Sequence, residues 1–101
     1  MDYSLRVGNL RVSLKGVERI EEDVDYNPYR LEGILGFALR GERVVPVIDG
    51  AEVLGRRGRK ALFLFTGRSV VRLEYDEIVK EGGEVGVEEI ERGALERLGG
   101  V

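Results

Sequence analysis

No apolar run in this chain outlasts a short strand before glycine or a charged turn cuts it, and that spacing dictates a small β-rich fold. Leu5-Arg6-Val7 and Leu10-Arg11-Val12-Ser13-Leu14 alternate apolar and polar residues around Gly8-Asn9, the pattern of a hairpin with one buried face. Lys15-Gly16 interrupts it. Val17 to Ile20 fits either a helical turn or the start of a third strand, and Glu21-Glu22-Asp23 reads as solvated. Asp25-Tyr26-Asn27-Pro28-Tyr29 reads as turn, with Pro28 holding Asn27 extended. Tyr26 and Tyr29 suit an exposed aromatic contact and packing under a loop equally well.

The most apolar stretch, Ile34 to Leu39, and the run Val44 to Ile48 predict two strands joined by a tight turn at Gly41. Pro46 cannot donate to a ladder, which places it at an edge or a bulge. Gly50 to Leu54 is long enough for one helical turn closed by Gly55, and Arg56-Arg57-Gly58-Arg59-Lys60 follows as a basic loop. Ala61 to Phe65 and Val70 to Tyr75 predict a second hairpin across Thr66-Gly67-Arg68, with Ile78-Val79 extending its second strand. Val87, Ile90, Ala94 and Leu98 recur at helical spacing, with acidic residues early and arginines late, which suits the helix dipole. Gly93 weakens that helix by about 1 kcal/mol relative to Ala. The reading is a mainly β chain forming a small barrel, with short helices including one at the C-terminus.

At 101 residues the chain makes one domain, 1–101. The absence of Cys and His removes disulfides, thiolate nucleophiles, imidazole bases and most zinc sites, so no catalytic, cofactor or metal residue is expected. No apolar run reaches the ~18 residues of a membrane span, and Met1-Asp2-Tyr3-Ser4 does not open a signal pattern. A cytoplasmic location without membrane insertion is the expectation. The lack of Gln beside abundant Glu, Arg and Val hints at a thermophilic source.

The remaining polar features read as structural. Asp49 at a strand end caps the turn that follows, and Glu74 with Asp76 forms a solvated edge. Gly99-Gly100 caps the terminal helix. The loop Arg56 to Lys60 is solvated or touches phosphate; as a nucleic-acid site it lacks interleaved aromatics, and the net charge of −3 argues against that partner.

From Leu31 to Gly55 the chain reads LEGILGFALRGERVVPVIDGAEVLG. This resembles the signature of the CheW-like family: an apolar strand leading to Leu-Arg-Gly (Leu39, Arg40, Gly41), then Val-Pro-Val-Ile-Asp (Val45 to Asp49), then a short Leu-Gly helix end (Leu54, Gly55). Ala38 stands where the family has Asn, and Gly50 where it has Leu. Upstream, Val17 and Ile20 are similar to the family's Val-x-x-Ile element, with Arg19 where an acidic residue is frequent. Downstream, Tyr75-Asp76-Glu77-Ile78-Val79 is similar to its Val-Asp-x-Val strand.

The resemblance implies two small SH3-like β-barrels sharing a core, the second incomplete because a helix replaces a further hairpin. It implies a non-catalytic coupling protein between a histidine kinase of CheA type and chemoreceptor signalling tips, with partner contacts at Arg40, Gly41, Val17, Arg19 and Ile20. A guanidinium beside a tight turn can fork to carboxylates or carbonyls, which makes Arg40 the first candidate; the structural alternative pairs it with Asp49 or Glu42. The missing strands lead to one more expectation. The hairpin Ala61 to Phe65 with Val70 to Tyr75 should expose an apolar face, to be covered by a partner or by a second copy in a homodimer.

Overall fold

The computed structural model describes residues 3–80 and 82–99, the last two by backbone alone. Its strands, in chain order, are β1 (Ser4–Val7), β2 (Leu10–Ser13), β3 (Arg19–Glu21), β4 (Asn27–Leu31), β5 (Ile34–Arg40), β6 (Arg43–Asp49), β7 (Lys60–Phe65), β8 (Val70–Tyr75), β9 (Glu77–Val79) and β10 (Val85–Gly86). Helix α1 (Gly50–Leu54) joins β6 to β7, and α2 (Val87–Gly99) ends the chain. The strands form a four-stranded sheet in the order β10-β2-β1-β9 and a six-stranded sheet in the order β3-β7-β8-β6-β5-β4.

The three expected hairpins form as the alternation predicts. β1 and β2 turn at Gly8, β5 and β6 turn at Gly41 with φ +65, and β7 pairs β8 from Lys60↔Tyr75 to Phe65↔Val70. Of the two readings for Val17 to Ile20, the strand is realised: β3 pairs antiparallel with β7. Pro46 sits where an edge is still free, because β6 begins its parallel pairing with β8 only at Val47.

Two segments depart from expectation. Asn27–Leu31 is strand β4 rather than turn, paired with β5 as Asn27↔Phe37 and Pro28↔Gly36. Being the sheet's last strand it tolerates Pro28, and Gly36 makes the pairing close: a Cβ there would lie 2.1 Å from the Asn27 carbonyl oxygen. Ile78-Val79 does not extend β8. At Asp76 the chain crosses to the other sheet, its N–H donating to the Arg6 carbonyl at 2.8 Å, and β9 pairs with β1.

Two cores result. The main one lies between the sheets and under α2, and gathers Leu5, Val12, Ile34, Ile48, Leu64, Leu73 and Ile90. The smaller one fills the curl of the six-stranded sheet with Ala38, Val45, Val47, Phe63, Phe65 and Val70. The connection from β3 to β4 closes the curl: Val24 and Tyr26 pack on this core, the Tyr26 ring 6.4 Å from that of Phe63. Tyr26 is thus the packing residue, whereas Tyr29 stays 61% exposed.

The second hairpin is therefore not open to solvent, contrary to expectation. Phe63, Phe65 and Val70 enter the small core while Leu64, Val71 and Leu73 enter the main one. Helix α2 contributes Val87, Ile90 and Ala94 to that cover. Gly93 serves packing as well as costing helix propensity, since a Cβ there would lie 3.2 Å from Val53 of α1. The side chain of Leu98, and Gly100 of the expected cap, lie outside the described residues.

Strict alternation would put only one of Val47 and Ile48 inside, but β6 runs between the two cores and both are fully buried. We predict that Val47→Asp and Ile48→Asp each abolish folding, because an unpaired buried carboxylate costs several kcal/mol out of the ~5–15 that hold a domain together. Val44→Asp, at a residue 64% exposed, should leave the melting curve nearly unchanged. Circular dichroism of the three variants checks this; a folded Val47→Asp protein would contradict the two-core arrangement.

Candidate partner-binding site at the barrel mouth

Arg40 ends β5 and points into the mouth of the curled sheet. Its Nη1 donates to the Thr66 carbonyl and its Nη2 donates to Glu18 Oε2 at 2.8 Å. Its guanidinium also lies 5.3 Å from the centre of the Phe65 ring. Arg43, its partner across the turn, donates to the Gly67 carbonyl at 2.6 Å. Neither Asp49 nor Glu42 receives Arg40. Asp49 instead caps α1 as the sequence indicated, accepting from the Glu52 N–H, and takes Arg30 at 3.6 Å.

The target turn is itself fixed from behind. The hydroxyls of Thr66 and Ser69 both donate to Glu91 Oε2 of α2, the former at 2.5 Å, and Glu91 is only 2% exposed. Thr66 Oγ1 also accepts from the Ser69 N–H at 3.1 Å. A buried carboxylate thereby holds the turn whose carbonyls receive Arg40 and Arg43, so α2, the β7–β8 hairpin and the β5–β6 hairpin form one connected polar network.

Above Phe65 the mouth opens into a hollow of about 400 Å³. Arg19 lies over the same ring at 4.3 Å and pairs with Glu21 at 3.2 Å. Asp23, Asp25, Leu39 and Gly41 complete the rim. The hollow presents planar cations over an aromatic ring beside the carboxylates of Glu21, Asp23 and Asp25. Such a surface has the chemistry to engage a protein through hydrogen bonds and stacking, each cation–π contact contributing about 0.5–1 kcal/mol when exposed.

Of the five residues expected to bind partners, the structure brings Arg40, Arg19 and Gly41 together at this hollow. Val17 and Ile20 lie elsewhere, half-buried against the main core. Sequence reasoning missed Glu18, Phe65 and Thr66, which hold the arginines. Only the apolar register of β7 placed Phe65 on an inner face; nothing local linked it to a residue 25 positions away in the chain.

The basic loop is tied down, and the adjoining carboxylates are not a solvated edge. Glu74, with its side chain 8% exposed, accepts from Arg57 at 3.0 Å, from Arg72 at 3.1 Å and from the Gly58 N–H at 3.2 Å. Burial pushes its carboxyl up, but these hydrogen bonds and the Arg57 charge outweigh that and leave it below the usual carboxylate range. Asp76 is also lowered, first by the Gly8 N–H at 3.0 Å, against a smaller opposing effect of desolvation, with help from the Arg59 N–H and the charges of Arg6 and Arg59.

No protein-family model matches the chain, and no curated protein sequence matches it. Its fold is CheW-like. Among solved structures it is similar to the crystal structure of the scaffolding protein TtCheW from Thermoanaerobacter tengcongensis, with a TM-score of 0.58 and 14% sequence identity. The match covers 79% of this chain and 64% of that one, so this chain spans less than two thirds of the scaffolding protein. Among the described residues no helix is long and apolar enough to cross a membrane.

Two measurements probe this region. Arg40→Ala should lower stability by about 1–3 kcal/mol, as expected for losing charge-assisted hydrogen bonds at a half-buried site, and urea unfolding reads the change. No loss would mean the arginine is only a surface group. Acid should also destabilise the fold through Glu74 and Asp76, whose folded pKa values lie below their unfolded ones. Their contribution is complete above the unfolded value near ~4 and disappears as pH falls through the folded one. Glu74→Gln should therefore flatten the stability-versus-pH curve below about pH 4. An unchanged slope would remove Glu74 from the account.

Proposed function

We propose that this chain is a non-catalytic coupling protein that joins a histidine kinase of CheA type to chemoreceptor signalling tips. The observation that carries the reading is the CheW-like fold itself, with the Leu39-Arg40-Gly41 and Val45 to Asp49 motif lying on the β5–β6 hairpin at the open barrel mouth. A scaffold needs a rigid surface and no reactive group. The mouth meets that need, since Glu91 holds Thr66, the Thr66 carbonyl holds Arg40, and Phe65 is packed in the small core. Arg19 and Gly41 present the contact surface beside Arg40, while Val17 and Ile20 support it from the core. A cytoplasmic location follows from the same reading.

Nucleic-acid binding by the Arg56 to Lys60 loop is the weaker reading. Arg57 and Arg59 already face Glu74 and Asp76, at 3.0 and 3.8 Å. Each phosphate contact would have to compete with these pairs.

The test is direct binding of the purified chain to the regulatory domain of a CheA-type kinase and to a receptor signalling-tip fragment, both from the source genome. At least one should bind, and Arg19→Glu should weaken that complex by about tenfold or more while the protein stays folded, with only a small drop in melting temperature from the lost Phe65 and Glu21 contacts. Failure to bind either partner, with steeply salt-dependent binding to single-stranded DNA, would overturn the coupling role in favour of the basic loop.

A further inference from the structure

The main core runs out of cover along the outer face of the β5–β6 hairpin. Ile34 and Ile48 are fully buried at one end of this face, and Phe37 is packed against the same core. Two residues further along β5, Leu39 is 74% exposed, and its cross-strand partner Val44 is 64% exposed. Tyr29 of β4, 61% exposed, flanks them with its ring 6.2 Å from that of Phe37. β4 is the last strand of its sheet and is exposed along its whole length. An apolar strip of large side chains beside an open edge is uncommon on a surface in which charged residues make up 35% of the chain.

The charges around the strip select its occupant. Asp25 borders the hollow that Phe37 and Leu39 share, and Glu42 sits in the turn between Leu39 and Val44. Among the described residues neither carboxylate has an ion-pair partner. The neighbouring cations are all engaged: Arg30 by Asp49 and Glu52, Arg40 by Glu18, and Arg43 by the Gly67 carbonyl. A second copy of the chain would bring this acidic rim against itself, at the cost of like-charge repulsion.

We propose that the outer β4–β5–β6 face is a docking surface for a basic amphipathic segment of a partner protein. Its large apolar side chains cover Tyr29, Leu39 and Val44, and its lysines or arginines pair with Asp25 and Glu42. Tyr29, Val44 and Glu42 lie outside the hollow around Arg40, while Asp25 and Leu39 border both surfaces; docking here does not depend on the coupling role proposed above.

Titration of the protein with a synthetic amphipathic Leu-Lys helical peptide, followed by fluorescence anisotropy, tests it. A peptide of the same pattern with Glu in place of Lys is the control. The Leu-Lys peptide should bind and the Leu-Glu peptide should not. Leu39→Ser with Val44→Ser should weaken binding by about tenfold or more, with an unchanged melting curve because both residues are exposed. Asp25→Asn with Glu42→Gln should weaken it comparably and flatten its salt dependence. Binding of both peptides alike, binding that neither double variant alters, or no binding at all would overturn the proposal. So would concentration-dependent self-association in sedimentation equilibrium that Leu39→Ser with Val44→Ser abolishes, since the occupant would then be a second copy.

Discussion

The β7–β8 hairpin has apolar side chains on both faces, and the two cores form one on each side of it. Phe63, Phe65 and Val70 project into the curl of the six-stranded sheet, and Leu64, Val71 and Leu73 project toward the four-stranded sheet and α2. A domain of this size buries only about 60–70% of the surface its unfolded chain exposes. Sharing one hairpin between two cores is an economical answer, because each residue of the wall contributes to one core while its neighbour serves the other. β6 repeats the device on a smaller scale, with Val47 and Ile48 buried on opposite sides.

A shared wall would be of little use to function if its ends could splay. Its turn is tied to α2 by Glu91 and to the β5–β6 hairpin by Arg40 and Arg43. Its other end is tied by Glu74 to the loop before β7, and by Asp76 to the turn after β1. The carboxylates at each end accept two or more hydrogen bonds apiece, the condition under which a polar group inside a small domain adds order rather than instability. Arg40 consequently does two things at once: it closes the barrel mouth and forms part of the surface that the mouth offers.

What the sequence revealed follows the range of the interactions involved. Hairpins with glycine turns, the Asp49 cap and Gly55 end of α1, and the α2 stripe depend on residues close in the chain, and each was legible. Asn27–Leu31 was read as turn because Pro28 is a local breaker, whereas its strand state depends on β5, whose Gly36 leaves room for it. Glu74 looked solvated because its arginine partners are a loop residue 17 positions back and a neighbour on its own strand. The candidate site divides the same way. Arg40 and Gly41 stood out within one motif, while Phe65 and Glu18 joined them only through the closing of the curl.

The apolar surplus expected from the sequence exists, but on the β5–β6 hairpin rather than on β7–β8. The reason lies in where cover is available. α2 lies across the main core and reaches β8, and the four-stranded sheet covers the same side, so the wall is sealed on both faces. β5 and β6 are seven residues each, and toward their shared turn Leu39 and Val44 are left exposed. Leu39 borders both the barrel-mouth hollow and the shallower one beside Asp25. One hairpin thus carries a cationic, aromatic-backed surface on its inner side and an apolar, acid-rimmed surface on its outer side. The two surfaces differ in chemistry and meet at Leu39 and Asp25, so partners seated on them would adjoin at that shared rim.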